Sequence, residues 1–587
     1  MERGHKEMSV LRIWNLRRGD DDDNRSSPYG RGFRSLVLSA VFELNYLKAP
    51  IGFFALVALP ALLVGIAPSI VVTYGRMFYQ TTAVADTSII FALALLAVLL
   101  GVALWIGRPL LKAAFARLRH LHFALVLPIF VALRELLVTI VELVAGASAT
   151  QEQLSSRRRI STILAALLFA GAGLTLAATV ELSIGLKLVT GDEVRFGPAL
   201  KAALGNAVII IGISTVFEAI YWAWLEFGSG DPVVDWTPNV LPAAFSRLRV
   251  AHLSDLHVVG DRYGYRMESG TLGPRGNRSF RNALRKLVAI HDATPVDRIL
   301  VTGDVTDAGT RAEWAEFLDL LRMYPTLRSR LSFVPGNHDV NIVDRTNPAR
   351  LDLPWSSGLA LRKLRVVVAL DDIQGHRARL VDRSSGTLGP TLKDYLREGR
   401  RWKLLRELAQ QGTMRGRREV AKTWTAIFPL VEIAPDGEGY GLILLDSNAP
   451  SHFSLTNAIG VIHPSHLDAL KAILRNYSGR SWIILMHHQV VEYPVASINL
   501  RDRIGLALVN ASDLLAAIAP HASRVVILHG HRHRDWIGAR GDVLLCSAPS
   551  VALGSDIEKY RGSFHVHELA LWDEGIRLMT THRVRVS

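Results

Sequence analysis

Five segments in the C-terminal half of the chain end in side chains that can bind metal or move protons. In each, a short apolar run typical of a buried strand is followed at once by Asp, Asn or His. The motifs after these runs are Asp255-Leu256-His257, Gly303-Asp304-Val305-Thr306-Asp307, Gly336-Asn337-His338-Asp339, His487-His488 and Gly530-His531-Arg532-His533. One polar turn after a strand is ordinary, but five such strand ends rarely arise by chance.

The spacing inside two of these motifs brings ligands together. Residues i and i+2 of a strand face the same side, so Asp255 converges with His257 and His531 with His533. Imidazole combined with carboxylate and amide oxygen suits manganese, iron, cobalt or zinc better than magnesium or calcium. The residues therefore predict a transition-metal or zinc centre at strand ends.

The order of the motifs resembles the calcineurin-like metallophosphoesterase family, over roughly residues 248–571. The resemblance implies an α/β (α+β) domain, a two-sheet sandwich flanked by helices, with the metal site at the strand ends. It also implies two divalent metal ions and hydrolysis of a phosphomonoester or phosphodiester by metal-activated hydroxide attack. No such resemblance covers the first 230 residues.

The family pattern assigns roles residue by residue. It makes Asp304 the ligand that bridges both ions. The other implied ligands are Asp255, His257 and His533 for one ion, and Asn337, His487 and His531 for the other. His338 is implied as the acid that protonates the leaving oxygen, and Asp339 as the residue that orients it.

Several neighbouring residues have a structural interpretation. His488 could be the ligand in place of His487, although the end of the apolar run at Met486 favours His487. His252 and His529 lie inside strands and are predicted to pack or to support the centre rather than to bind metal. Asp307 is likewise predicted to support the site.

Composition indicates a membrane protein. The 587 residues include 49% hydrophobic ones, and the mean hydropathy of +0.23 is high for a soluble protein. A net charge of +14 favours anionic partners such as lipid head groups, phosphorylated substrates or, less favoured here, nucleic acid. The single cysteine, Cys546, lies in an apolar run, so we expect a buried thiol and no internal disulfide.

The N-terminal part is predicted to be an all-α membrane domain over residues 36–227, after a disordered basic tail at 1–35. About four transmembrane helices are expected, at Ile51–Tyr74, Ser88–Ile106, Ser161–Val180 and Ala203–Trp224. The apolar run Leu121–Val144 is broken by Arg134, Glu135 and Glu142. A helix packed against the bundle or lying in the interface is favoured over an ion pair on a functional pathway.

Charge bias places the catalytic domain. Arginine is frequent in the tail and after the second span, while the loop between the first two spans holds only Arg76. By the positive-inside rule, four spans place both termini and the catalytic domain in the cytoplasm. A fifth span at Leu121–Val144 would place the enzyme outside.

The second domain is predicted at 247–587, after a linker at 228–246. It carries an inserted basic segment at about 343–424, before a strand at Ala426–Ile433. Within the insertion, Arg397, Arg400, Arg401, Lys403 and Arg406 are predicted to form one dense helical run. This run is either a solvated face or a contact with substrate or membrane.

The leading hypothesis is a membrane-anchored phosphoesterase with two metal ions and a phosphoester substrate, with lipid-linked and nucleotide esters both left open. The membrane setting makes lipids a second partner. The alternative is a noncatalytic membrane sensor that binds phosphorylated ligands. A proton donor such as His338 favours the enzyme, because a pure binding module needs none.

Overall fold

The computed structural model describes residues 54–59, 61–66, 126–145, 151–183, 196–228, 233–237, 245–261, 276–344, 350–352, 356–433, 439–491, 508–552 and 562–586. The chain divides into two compact units. One is formed by residues 44–148 and 156–228, and the other contains residues 229–587.

The first unit is helical. Its described helices are a π-helical turn at Phe54–Ala58, α1 at Leu127–Ala145, α2 at Gln151–Ser183 and α3 at Phe196–Gly228. Among the described helices, two stretches are long and apolar enough to cross a membrane, Ser156–Ser183 and Leu200–Trp224. They contain the predicted third and fourth spans. The predicted tail, the second span and half of the first lie outside the described residues.

Helices α2 and α3 touch backbone to backbone. A Cβ on Gly173 would lie 2.7 Å from the carbonyl oxygen of Gly212, and one on Gly212 would lie 2.6 Å from that of Gly173. Small residues permit such close approach of membrane helices. The close approach is therefore made at Gly173, whereas a Cβ on Gly171 would meet nothing within 4 Å.

Helix α1 packs against α2 and α3. Its Phe130 contacts Phe169 and Trp222, with ring centroids 5.6 and 4.1 Å away. The buried Arg134 and Glu135 form an ion pair of 2.7 Å, and Arg158 of α2 approaches the same carboxylate at 3.4 Å. These contacts agree with the favoured interpretation of a helix packed against the bundle.

The second unit is a sandwich of two sheets flanked by helices, which confirms the α/β two-sheet expectation. The strands are β1 Val233–Asp235, β2 Ser246–Leu253, β3 Arg298–Val301, β4 Leu331–Phe333, β5 Arg379–Val381, β6 Leu388–Thr391, β7 Leu430–Ile433, β8 Tyr440–Leu444, β9 Ser481–Leu485, β10 Val525–His529, β11 Trp536–Arg540, β12 Val543–Ser547, β13 Ser563–Trp572 and β14 Gly575–Arg585. One sheet has the order β1-β11-β12-β10-β9-β8-β7-β5-β6, and the other β14-β13-β2-β3-β4.

Helices lie in the connections β2–β3, β3–β4, β4–β5, β6–β7, β8–β9 and β9–β10. They are α4 Arg278–Ala293, α5 Arg311–Arg322, α6 Pro325–Arg330, α7 Asn337–Val340, α8 Gly358–Gln374, α9 Leu392–Arg397, α10 Arg401–Gln411, α11 Met414–Ile427, α12 Pro464–Asn476 and α13 Ala511–Ile518.

Each sheet contains a run of parallel strands. Strands β2, β3 and β4 are parallel neighbours, as are β8, β9, β10 and β12. Alternate residues of β9 pack into different cores: Ile483 and Leu485 belong to one cluster, Trp482 and Ile484 to another. Burial on both faces explains why these strands read as continuous apolar runs. Because the strands are parallel, their carboxyl ends line up along one edge of each sheet.

Three boundaries differ from the expectation. The predicted linker contains β1, which pairs antiparallel with β11. The strand predicted from Ala426 begins only at Leu430, because α11 continues to Ile427. The predicted basic run is not one helix: α9 ends at Arg397 and α10 begins at Arg401, with Gly399 between them at φ +59°.

The arginines at this break are paired within the insertion. Arg397 forms an ion pair with Asp371 at 3.1 Å. Arg401 contacts both Glu398 and Glu419 at 3.4 Å. For these two residues the structure favours a role in holding the insertion together.

Candidate metal centre

The five motifs meet at aligned strand ends. Asp255 and His257 follow β2, Asp304 follows β3, and Asn337 follows β4. Backbone hydrogen bonds continue past the strands: the amide of Asp255 donates to the carbonyl of Gly303 (3.1 Å), and that of His257 donates to Asp304 (3.0 Å). From the other sheet, His487 follows β9 and His531 follows β10, and the amide of Gly530 donates to His487 (3.0 Å).

The predicted ligands form two groups. In each group, potential ligand atoms from all three residues lie within 4.8 Å of one another. The groups are Asp255, His257 and His533, and Asp304, His487 and His531. These groups match the two ligand sets that the family resemblance implies. The differences are that Asn337 is in neither group and that Asp304 is in one group only.

Asp304 lies between the two groups. Its Oδ2 is 3.4 Å from Nε2 of His487 and 3.9 Å from Nε2 of His257, which belong to different groups. Strand β3 lies between β2 and β4 in its sheet, so the residue at its end is placed centrally. This position is the one that a bridging carboxylate requires.

Asn337 and His487 approach one another, whereas His488 points elsewhere. Nε2 of His487 is 3.1 Å from Oδ1 of Asn337 and 3.0 Å from Nδ1 of His531. Nδ1 of His487 donates to the carbonyl of Thr302 at 2.8 Å, which fixes the ring. Nδ1 of His488 is instead 2.8 Å from the hydroxyl of Ser447. The geometry therefore favours His487 as the ligand.

His338 lies at the open side of the centre. Its amide donates to Oδ1 of Asp304 at 2.9 Å, and its Nδ1 donates to the carbonyl of Asp307 at 2.7 Å. The ring stands edge-on to His257, with centroids 4.7 Å apart. Its side chain is 16% exposed, while the carboxylate of Asp304 is 3% exposed. His338 is thus placed where a substrate oxygen could reach it.

The carboxylate of Asp339 is held by the loops around it. Its carboxylate accepts hydrogen bonds from the amides of Val305 (3.1 Å), Thr306 (2.8 Å) and Gly336 (2.9 Å), and from the Thr306 hydroxyl (2.7 Å). The carbonyl of Asp307 holds the His338 ring at Nδ1, and the orientation of that ring by Asp339 stays a prediction. Asp339 fastens the loop after β4 to the loop after β3.

Asp307 supports a neighbour. Its Oδ1 is 3.3 Å from Nδ1 of His257 and 4.0 Å from Nδ1 of His338. A carboxylate on the outer nitrogen of a ligating histidine fixes the ring and raises its basicity. This position agrees with the prediction that Asp307 supports the site.

A model of the family described as calcineurin-like phosphoesterase matches residues 248–535. This segment is a calcineurin-like metallophosphoesterase domain. It includes all seven predicted ligands.

Similar proteins overlap the chain only in part. A Coxiella burnetii protein described as a cyclic nucleotide phosphodiesterase is 31% identical over 104 residues, which are 18% of this chain and 37% of that relative. Among solved structures, a Staphylococcus aureus protein described as a putative 5'-nucleotidase is 12% identical, with a TM-score of 0.28. The match covers 58% of this chain and 54% of the Staphylococcus aureus chain. Purple acid phosphatase PPD1 from yellow lupin seeds is 12% identical, with a TM-score of 0.29. The match covers 59% of this chain and 52% of the lupin chain.

The backbone of the calcineurin-like domain is strained at the centre. Among the described residues other than glycine, positive φ occurs at Asp255 (52°), His257 (42°), Asp304 (48°), His531 (74°) and His533 (53°). Left-handed conformations cost L residues free energy and persist where the surrounding structure enforces them, often at functional sites. All five are predicted metal ligands.

Glycines make room for this geometry. A Cβ on Gly336 would lie 2.2 Å from Oδ1 of Asp304, and one on Gly303, which has φ +94°, would lie 2.5 Å from Nδ1 of His487. Any larger residue would push a ligand out of place. The Gly-Asp and Gly-Asn-His-Asp motifs therefore need their glycines for space.

The electrostatics of the calcineurin-like domain fit a bound cation. Burial raises the pKa of the Asp304 carboxyl, but the neighbouring His487 and His338 outweigh it and hold that pKa well below its usual range. Burial lowers the pKa of His487, but the carboxylate of Asp304 outweighs it and raises that pKa to about 9. Buried carboxylates in this centre are therefore stabilised as anions by positive charge beside them, which a divalent ion would supply.

The donor spacing also fits metal. Nitrogen and oxygen ligands lie about 2.0–2.2 Å from a zinc ion, so two ligand atoms of one tetrahedral ion are about 3.3–3.6 Å apart. The 3.0–3.4 Å separations around Nε2 of His487 are close to this value. The residues present therefore fit the metals that the family resemblance implies.

Two supporting residues were not predicted from the sequence. The Ser447 hydroxyl accepts from the amides of His487 (3.3 Å) and His488 (3.2 Å), and the carbonyl of Thr302 holds the His487 ring. Both lie at or just after the carboxyl ends of strands, β8 and β3 respectively. Their position at strand ends beside the motifs was the sequence signal that could have identified them.

Proposed function

We propose that the calcineurin-like domain hydrolyses a phosphomonoester or phosphodiester with two divalent ions held by its two ligand groups. The observation that carries the proposal is the position of Asp304 between two groups of buried histidine and carboxylate. When bound, such a metal pair clamps a phosphoryl group, supplies a hydroxide near neutral pH and stabilises the entering and leaving oxygens.

The side chains have separate tasks in this proposal. Asp255, His257 and His533 hold one ion, and Asn337, His487 and His531 hold the other, with Asp304 shared. Nδ1–H of His338 donates to the carbonyl of Asp307. In the imidazolium form, the second proton is therefore on Nε2, which can give it to the leaving oxygen and leave a neutral ring.

The alternative of a noncatalytic sensor is less well supported. A binding module needs neither a strained ligand set nor a partly exposed histidine at its open side. Here five ligands adopt positive φ, and His338 is both held at Nδ1 and exposed. These features favour chemistry over binding alone.

We place the enzyme at the cytoplasmic face of a membrane. The two apolar helical stretches at Ser156–Ser183 and Leu200–Trp224 support anchoring, and the arginine-rich segments support the cytoplasmic side. Anchoring favours a lipid-linked phosphoester, whereas the partly similar Coxiella burnetii protein, described as a cyclic nucleotide phosphodiesterase, favours a nucleotide. The substrate panel below includes both classes.

The test is a phosphoester panel assayed on the purified full-length protein in detergent with manganese, iron, cobalt or zinc. The panel contains aryl phosphomonoesters and phosphodiesters, cyclic nucleotides and lipid phosphoesters. Asp304→Ala should lose metal and activity, and Asp307→Ala should lose less of both. The exposed Asp468→Ala is the matched control and should behave as the parent. Equal metal content and turnover in Asp304→Ala and the parent would contradict the proposal.

A further inference from the structure

Three buried histidines lie together outside the ligand set described above. His252 is on β2, and His565 and His567 are on the neighbouring strand β13. His565 pairs directly with His252 in the antiparallel register, and His567 follows two residues later, so all three rings share one face of the sheet. Their exposed fractions are 0%, 0% and 1%.

Each of these rings is anchored by its outer nitrogen. Nε2 of His252 is 3.0 Å from the Thr302 hydroxyl, and Nδ1 of His567 is 2.8 Å from the Thr581 hydroxyl. Nε2 of His565 is 2.9 Å from Oδ1 of Asp535. Arg583 holds the other oxygen of Asp535 at 3.1 Å. Hydroxyl or carboxylate partners of this kind orient histidines that bind metal.

The inner nitrogens converge. Each of the three residues offers a ring nitrogen within 4.8 Å of the other two. Nδ1 of His252 is 3.3 Å from Nε2 of His567. That distance equals the roughly 3.3 Å expected between two imidazole nitrogens about 2.0–2.1 Å from one tetrahedral ion. Nδ1 of the fully buried His565 has no hydrogen-bond partner among the described residues.

We propose that His252, His565 and His567 bind a further divalent metal ion, separate from the two of the candidate centre. Three imidazole nitrogens suit zinc or cobalt. The carboxylate of Asp535 supplies compensating negative charge through His565. An ion here would join β2 to β13 behind the ligands Asp255 and His257, so its role would be to stabilise the fold.

Protonation agrees with this proposal. Burial, with the neighbouring histidines, holds the pKa of His252 and of His567 well below the usual value, so both rings are neutral at pH 7. Neutral imidazole is the form that binds metal. The competing explanation is a metal-free hydrogen-bonded cluster, in which His252 and His567 share one proton. That cluster leaves Nδ1 of His565 without a partner, which an ion would correct.

Metal stoichiometry distinguishes the two explanations. The full-length protein is stripped with a chelator, reloaded with Zn²⁺ or Co²⁺, freed of excess metal and analysed for bound ions. The double variant His565→Gln/His567→Gln should bind one ion fewer per chain than the parent. Asp304→Ala should retain the ion of the histidine cluster, and Co²⁺ there should show the intense visible absorption of a tetrahedral site. The equally buried His466→Gln on α12 is the control and should bind as the parent does.

A second variant guards against misfolding. Asp535→Asn keeps all three imidazoles and removes only the carboxylate partner of His565, so it should weaken one ion about 10–100-fold. Removing that ion should also lower the thermal unfolding midpoint of the parent and leave that of the double variant unchanged. Metal content equal to the parent in a folded double variant would overturn the proposal. If the double variant does not fold, unchanged affinity in Asp535→Asn would do the same.

Discussion

At the scale of single residues, the candidate centre is built at a cost in backbone energy. Five of its ligands have positive φ, which costs roughly 1–2 kcal/mol for each L residue. The hydrogen bonds between the loops, such as the four to Asp339, enforce these conformations. The metal-free protein should therefore carry backbone strain, because the loops already hold the ligands in the conformations that metal binding requires.

A glycine substitution should reveal this strain. His533 has φ +53° and a side chain that is 24% exposed, so truncating it leaves little cavity. In the metal-free protein, His533→Gly should be about 1 kcal/mol more stable than His533→Ala, since only the alanine pays for the left-handed backbone. Chemical unfolding of both variants measures the difference. Equal stability, or a more stable alanine variant, would show that the backbone relaxes without strain.

The proposed proton donor gives a second prediction at this scale. His338→Ala should keep its metal ions but lose about 10²–10⁴-fold in rate with a poor leaving group. An aryl ester whose leaving oxygen hardly needs a proton should lose much less. Rates on both esters and metal analysis are compared with the exposed His376→Ala as control. Equal losses on both esters, or loss of metal, would exclude His338 as the acid.

At the scale of elements, the sequence could predict which strand ends meet but not how each side chain points. The five motifs follow apolar runs, and parallel neighbours such as β2, β3 and β4 must align their carboxyl ends. The hydrogen bond from Thr306 to Asp339 was not predicted. Asp339 follows His338 in the sequence, but this adjacency does not show which way its carboxylate points. Strand β1 was missed because three residues after a Gly- and Pro-containing linker are too few to carry a periodic signal.

The insertion shows the same limit and gives a third prediction. Charge density predicted one basic helix, but Gly399 divides it, and Arg397 and Arg401 are paired with acidic residues. Arg400 and Lys403 are exposed, and among the described residues neither side chain forms a hydrogen bond or an ion pair. Reversing both to Glu should lower activity on a lipid phosphoester in anionic vesicles by up to about 30-fold at low salt, from about 1 kcal/mol per residue.

The controls separate binding from folding. A small soluble phosphodiester should be hydrolysed by the Arg400→Glu/Lys403→Glu variant at the parent rate, and raised salt should reduce the effect on vesicles. Arg397→Glu places a second carboxylate beside Asp371 and should lower the unfolding midpoint and both activities together. Parent activity on vesicles at low salt would leave Arg400 and Lys403 as a solvated face.

At the scale of the whole molecule, charge distribution predicts the topology. A cysteine placed between Gly75 and Thr87 should react with an impermeant thiol reagent on intact cells, whereas Ser587→Cys should not. The native Cys546 need not be removed, because it is fully buried and burial raises the pKa of its thiol. Labelling is scored before and after permeabilisation. Labelling of Ser587→Cys on intact cells would place the catalytic domain outside.

The short strand β1 determines where the chain can be truncated to give a soluble fragment. It lies at the end of its sheet, with Val233–Asp235 paired to β11, and Oδ1 of Asp235 accepts from the Trp536 indole at 2.9 Å. A soluble fragment starting at Pro232 retains this strand, whereas one starting at Arg247 leaves the backbone of β11 open to other chains. Open edges are templates for aggregation. We expect the longer fragment to be monodisperse and the shorter one to precipitate, as size-exclusion chromatography would show; two fragments of equal solubility would mean that β1 does not protect the edge.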